Sequence, residues 1–97
     1  MVQIQGGKGR FWVEGEGKEL GEITYKQEES GILVIEHTRV SEELRGQGAG
    51  EKLVKAVVDK AREEGLKIIP VCSYAAHQFK KHSEYQDVLS GDVNHSS

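Results

Sequence analysis

The chain has 97 residues, 36% of them hydrophobic and 30% charged, and this predicts one small domain because two cores of half the size would each be marginal. A formal net charge of −3 and a pI near 5.8 give no general electrostatic reason to bind nucleic acid. No apolar run is long enough to span a bilayer and the N-terminal residues lack the pattern of a signal peptide, so we expect a cytoplasmic protein outside the membrane.

Strands are expected in the first part of the chain. Residues 11–14 are typical of a short strand, and residues 20–27 alternate apolar and polar side chains as a half-buried strand does. Residues 32–38 begin with four consecutive apolar residues, which predicts a strand that is central in its sheet. Turns rich in glycine and polar residues separate these segments, so we expect a three-stranded antiparallel meander.

A helix is predicted from Gly50 onward, because the apolar residues change to a helical period. Gly65 suits the left-handed residue that follows a helix C-terminus. The apolar side of this helix is formed by Leu53, Val54, Val57, Val58 and Ala61.

The chain then returns to a strand at residues 66–72. Pro70 indicates that this strand is an edge, carries a bulge, or diverges from its partner, because proline cannot donate to a ladder. Residues 75–82 can form a second, short helix that buries Ala75, Ala76 and Phe79. These elements predict an α+β domain over residues 1–89 and a flexible polar tail over residues 90–97.

The segment between the third strand and the first helix carries the strongest functional signal. The strand, helix and next strand predict a crossover with parallel strands. Glycines in the connecting loop let backbone N–H groups approach a ligand, and the helix dipole adds partial positive charge there. We therefore expect a phosphate or pyrophosphate site, in which the arginine adds charge-assisted hydrogen bonds. Its residues are Arg45, Gly46, Gln47, Gly48, Ala49 and Gly50.

Two other phosphate-binding motifs do not fit this loop. A dinucleotide fingerprint that starts at Gly46 requires glycine at its sixth position, where the chain has Glu51. A nucleotide-triphosphate loop requires Gly-Lys followed by Ser or Thr, and the chain reads Gly50-Glu51-Lys52-Leu53. A purely structural glycine turn remains the alternative interpretation.

The pattern Arg-x-x-Gly-x-Gly at Arg45–Gly50 resembles the pyrophosphate motif of the GNAT superfamily of acetyl-coenzyme A dependent N-acetyltransferases. Segments 37–40, 69–74 and 82–85 also resemble, in order and spacing, very small stand-alone GNAT-like proteins, over roughly residues 10 to 89. Ser83 departs from this pattern, since many of those proteins have proline there. The resemblance implies a compact GNAT-like fold with splayed parallel strands and without the substrate-covering helices of larger relatives.

The same resemblance implies an acetyl-coenzyme A site. The backbone around Thr38 to Val40 would hydrogen-bond the pantetheine arm, and Arg45–Gly50 would cradle the pyrophosphate. The side chains near the thioester would be Tyr74, Ala75 and Phe79. The implied function is transfer of acetyl to an amine or a thiol on a small molecule or peptide, by a monomer or weak dimer. The alternative is a coenzyme A or acyl-coenzyme A binding module with little or no turnover.

Three residues are candidates for the chemistry. Cys72 is the single cysteine, so the chain cannot form an internal disulfide. Cys72 is either a nucleophile that accepts acetyl or a small buried hydrophobic residue. His37 has the same parity as Leu33 and Ile35, which predicts a partly buried imidazole able to deprotonate an amine or the thiol. Tyr74 is either the acid that protonates the leaving thiolate or an aromatic wall.

Other polar residues carry weaker signals. Glu36 is either a base acting through water or, more simply, a solvated strand carboxylate. His77 and His82, five residues apart, do not share a helix face and have no nearby carboxylates in a ligand pattern, so we predict no metal site.

Overall fold

A computed structural model describes residues 3–28, 30–44 and 46–90. Within those residues the chain forms one five-stranded sheet of order β1-β2-β3-β4-β5. The strands are β1 (Gln3–Gly7), β2 (Arg10–Gly15), β3 (Lys18–Glu28), β4 (Ile32–Val40) and β5 (Lys67–Pro70). The helices are α1 (Ala49–Glu64) and α2 (Ser73–Lys81), with short 3-10 segments at Glu42–Leu44 and Ser83–Val88.

The predicted α+β architecture is confirmed, with one strand more than expected. Strands β1 to β4 are antiparallel neighbours, and β5 joins β4 in parallel after the α1 crossover. The additional strand is β1, in which Gln5 pairs with Trp12 of β2. This edge strand buries no residue fully, so its sequence lacks the alternation that identifies a half-buried strand.

Helix α1 packs its apolar side against β2, β3, β4 and β5. The predicted apolar residues are all fully buried there, and each such side chain stabilises the fold by about 1.5–3 kcal/mol relative to an exposed one. Gly65 ends the helix with φ of 69°, and its N–H donates to the Ala61 carbonyl, as its left-handed role requires. Helix α2 contacts α1, β4 and β5.

Strand β4 carries a bulge at Glu36. Tyr25 pairs with Ile35 and Thr24 pairs with His37, so Glu36 has no residue opposite it on β3. One extra residue reverses the alternation of side chains beyond it. The side chain of Thr38 therefore lies on the same face of the sheet as that of Ile35, and His37 is exposed on the other face. The predicted burial of His37 with Leu33 and Ile35 is wrong for this reason.

Strands β4 and β5 diverge just beyond the bulge. Their pairing runs from Ile32 with Lys67 to Ile35 with Pro70, where β5 ends while β4 continues to Val40. The Ile35 carbonyl accepts the N–H groups of Val71 and Cys72 at 3.1 and 3.2 Å. The ladder thus stops at Pro70, as its position predicted.

The outer edge of β5 is partly covered by the residues that follow the second 3-10 segment. Leu89 bridges to Ile68, and Ser90, the first residue of the predicted tail, is buried and donates its N–H to the Ile68 carbonyl at 2.9 Å. The rest of the predicted tail, residues 91–97, lies outside the described residues. In the described part, no helix is both long and apolar enough to cross a membrane.

Candidate functional site

A groove of about 540 Å³ opens where β4 and β5 diverge. Thr38 and Val40 of β4 form one wall, and the glycine-rich loop with the first turn of α1 forms another. The Tyr74 side chain of α2 borders the same space. The end of a splayed strand pair and the N-terminus of a helix therefore share one opening.

The loop reaches α1 through two glycines in left-handed conformations. Gly46 has φ of 83° and Gly48 has φ of 71°, values that L side chains rarely adopt. A Cβ at either position would meet no heavy atom within 4 Å, so conformation and not crowding requires glycine here. Between them, the Gln47 N–H donates to the Leu44 carbonyl at 3.0 Å and closes the turn.

The first turn of α1 presents its backbone N–H groups at the groove. The N–H of Lys52 bonds the Gly48 carbonyl at 3.1 Å, as an intrahelical bond of the first turn. The amides of Ala49, Gly50 and Glu51 precede it, at positions that have no acceptor within a helix. Together with the helix dipole, such amides favour an anionic group such as a phosphate.

Gly50 allows α2 to approach α1 closely. A Cβ at this position would lie 2.5 Å from the Tyr74 hydroxyl oxygen and 2.8 Å from its Cζ. At the next residue of α1, Glu51 Oε1 pairs at 2.9 Å with Nζ of Lys81, the last residue of α2. Burial and the negative charge of Glu51 raise the pKa of Tyr74, so its phenol keeps its proton at neutral pH.

Cys72 lies immediately before α2 and next to Thr38, which lines the groove; Cys72 is not itself among the lining residues. Its Sγ is 3.5 Å from Thr38 Oγ1, across the gap between the diverging strands. Burial alone would raise the pKa of Cys72, but the hydrogen bond with Thr38 and the backbone N–H groups of Ala75 and Tyr74 outweigh it and lower that pKa. The thiol therefore ionises more readily than an ordinary cysteine, and only the thiolate is a good nucleophile.

The structure brings together most residues predicted for the site. Those that line the groove are Thr38, Val40, Gly46, Gly48, Ala49, Gly50 and Tyr74. Cys72 is connected to them through the side chain of Thr38, a contact that no sequence motif predicts. The predicted pyrophosphate residue Arg45 lies outside the described residues.

Other predicted site residues lie elsewhere. Ala75 and Phe79 are 0% and 2% exposed and pack in the core, because α2 turns its apolar side inward, and neither is among the residues that line the groove. His37 is on the β4 face opposite Thr38 because of the bulge. Gln47 lines a neighbouring pocket and not the groove. Among the described residues no group of three or more His, Cys, Asp or Glu could hold a metal ion.

Comparison with known proteins defines the family. The sequence model of the GCN5-related N-acetyl-transferase family matches residues 10–88, so the chain belongs to this family. A GCN5-like protein from Staphylococcus aureus has a similar structure, with a TM-score of 0.76 and 48% sequence identity over 92% of this chain and 88% of that one. The GNAT resemblance and the acyltransferase class predicted from the sequence are confirmed. No protein of curated function matched in sequence.

Larger acetyltransferases share the fold. N-acetylglutamate synthase from Neisseria gonorrhoeae, solved with coenzyme A and N-acetyl-glutamate, is 18% identical with a TM-score of 0.63, over 89% of this chain and 26% of that one. The IAA acetyltransferase of Bacillus cereus is 21% identical with a TM-score of 0.60, over 74% of this chain and 51% of that one. The chain thus spans about half of these proteins or less.

Proposed function

We propose that this protein binds acetyl-coenzyme A in the groove between β4 and β5 and transfers the acetyl group to an amine. The observation that carries the proposal is one groove bordered by the end of β4 beyond its pairing with β5, by the first turn of α1 and by Tyr74. Its volume of about 540 Å³ is in the usual range for small-molecule sites, roughly 300–1,000 Å³. Membership of the acetyltransferase family supports the same ligand.

Each part of this ligand has a fitting surface in the groove. The pantetheine arm carries amide groups, and β4 beyond Ile35 has no strand partner on its β5 side among the described residues. An extended ligand can hydrogen-bond such an edge as an added strand does. The pyrophosphate is anionic, which suits the amides of Ala49 and Gly50 and the open backbone at Gly46 and Gly48.

Cys72 is the proposed nucleophile in a two-step route. Its thiolate attacks the acetyl carbonyl carbon, the bond from that carbon to the coenzyme A sulfur breaks, and the departing sulfur takes a proton. Tyr74, whose phenol stays protonated, is the proposed donor of that proton. The acceptor amine then attacks the acetyl-Cys72 thioester and the Cys72 thiolate leaves. The amine proton passes through water to the Tyr74 phenolate, which restores the starting protonation state.

A coenzyme A binding module with little turnover is the second candidate. It is favoured by the position of His37, which lies on the β4 face opposite Thr38 and therefore away from the thiol. The two candidates share the ligand and differ in whether the acetyl group leaves it.

Intact-protein mass spectrometry separates these candidates. Freshly reduced protein mixed with acetyl-coenzyme A should gain one acetyl group, which mild hydroxylamine removes as it does from a thioester. Cys72→Ala should gain none while still binding coenzyme A by calorimetry. Turnover is followed by release of free thiol with a panel of small amines and peptides. Binding without an adduct and without thiol release would support the module, and absence of binding would refute the proposed function itself.

A further inference from the structure

Strand β1 forms one edge of the sheet and is open on its outer side. It pairs with β2, and over the described ranges 3–28, 30–44 and 46–90 no strand lies beside it on the other side. The opposite edge of the sheet differs, because Leu89 and Ser90 pair with Ile68 and cover part of β5. The backbone N–H and C=O groups on the free side of β1 are therefore available to another strand.

The residues of β1 carry none of the features that normally protect an edge strand. Natural proteins block open edges with charged side chains, proline or a bulge. Residues 3–7 read Gln-Ile-Gln-Gly-Gly, without a charge or a proline, and their register with β2 is continuous. Ile4 is a large apolar residue of this strand and is 36% exposed. Such an edge favours association by strand addition.

Two aromatic rings of β2 hold this edge in place. A Cβ on Gly6 would lie 2.8 Å from Cε1 of Phe11, and a Cβ on Gly7 would lie 3.1 Å from Cζ3 of Trp12. The rings therefore lie over the two glycines, on opposite faces of the strand because successive positions alternate. An edge that is ordered before association loses less conformational entropy when another strand is added.

We propose that two copies of this chain associate through β1, paired antiparallel about a two-fold axis at Gln5, into one continuous sheet with five strands from each copy. The inference is independent of the proposed function. This register pairs all five residues of each β1, with Gln3 opposite the second copy's Gly7 and Gln5 opposite its equivalent. Opposite residues of an antiparallel pair share a face, so both copies of α1 lie on the same side of the sheet. The groove of each copy borders β4, three strands from the axis, and stays open.

The side chains at this edge fit that register. It places Ile4 opposite the second copy's Gly6, where the absent side chain leaves room for Ile4 to contact the Phe11 ring that covers this glycine. It also brings Lys8 toward the second copy's Glu14, which lies on β2 beside the paired end of β1. Lys8 and Glu14 are exposed, and neither makes an ion pair with another described residue. An apolar residue thus meets an aromatic ring and opposite charges approach each other, twice in each dimer.

Sedimentation and light scattering over a range of protein concentrations test the association. Two short paired strands bury less than the roughly 1,200 Å² of a stable complex, so we expect a concentration-dependent equilibrium between monomer and dimer. Gln5→Lys and Gln5→Glu each place like charges opposite each other at the axis and should weaken dimerisation about fivefold. An equal mixture of the two variants should form a heterodimer about tenfold tighter than either homodimer, because opposite charges then face each other. His77→Lys and His77→Glu are the matched controls on α2, which packs at β4 and β5, and should dimerise like the unchanged protein.

A cross-link tests the register directly. Directly opposite residues of an antiparallel pair have Cα atoms about 4.5–5.5 Å apart, a separation that a disulfide spans. Gln5→Cys in a Cys72→Ala background should therefore form a covalent dimer with oxidised glutathione, whereas His77→Cys in the same background should not. Thermal unfolding verifies that each variant keeps its fold. A chain that stays monomeric at the highest attainable concentration would overturn the proposal. So would a dimer that is indifferent to both charges at position 5, or charge variants that do not complement each other on mixing.

Discussion

The contact between Thr38 and Cys72 predicts a specific change in thiol reactivity. Thr38→Val keeps a β-branched side chain of similar size on β4 and removes the hydroxyl that lies 3.5 Å from Sγ. A hydrogen bond to a charged group is worth about 1.5–3 kcal/mol, and this long, partly exposed one should be worth about 1 kcal/mol. Because the hydroxyl stabilises the thiolate, its loss raises the pKa of Cys72. At neutral pH the thiolate population should fall about fivefold.

Alkylation by iodoacetamide measures this effect directly, since its rate follows the thiolate. The rate should rise with pH around a midpoint that is lower for the folded protein than for the protein in denaturant, because the fold lowers the pKa of Cys72. The midpoint should move up in Thr38→Val and stay near the original value in Thr38→Ser, which keeps a hydroxyl. If the valine and serine variants react equally fast, the Thr38 hydroxyl does not stabilise the thiolate and the reasoning fails.

Three further predictions concern the walls of the groove. Gly50→Ala should lower the free energy of unfolding by about 1 kcal/mol, because Tyr74, whose ring it overlaps, is 37% exposed and can turn aside, and a double-mutant cycle with Tyr74→Ala in thermal unfolding should recover most of the loss; additive losses would contradict the contact. Gly48→Val should abolish the rise in melting temperature caused by coenzyme A, because valine is strained at φ of 71°; an undiminished rise would exclude the loop as the pyrophosphate site. Phe79→Ala should cost about 3–5 kcal/mol in urea unfolding, and a cost below 1 kcal/mol would show that the residue is not in the core.

The features that the sequence predicted correctly are those set by local chemistry. Helix α1 is predicted by the helical spacing of its apolar residues. Its end at Gly65 is predicted because glycine readily adopts the left-handed conformation that follows a helix. Pro70 marks the end of the pairing between β4 and β5, because proline has no N–H to donate to a neighbouring strand in any fold. The glycine-rich turn is predicted in the same local way, because Gly46 and Gly48 both adopt the positive φ that glycine tolerates best.

The features that the sequence did not predict depend on pairing between distant segments. The bulge at Glu36 is defined by its register against Thr24 and Tyr25, and nothing within residues 32–38 marks it. The burial of Phe79 follows from the apolar side of its helix, but whether Phe79 also borders the groove depends on how α2 docks on α1 and β5. Strand β1 exists through its pairing with β2 and carries little hydrophobic pattern of its own.

The bulge at Glu36 links the two halves of the candidate site. Without the extra residue, strict alternation from Ile35 would direct His37 to the groove face and Thr38 away from it. With it, Thr38 reaches Cys72, and the Ile35 carbonyl just before the bulge accepts both N–H groups that follow Pro70. The strand pair therefore ends at the same place where the thiol acquires its hydroxyl partner. An open strand edge for a ligand and a stabilised thiolate beside it follow from one inserted residue, which is why neither could be located from the helical and loop motifs alone.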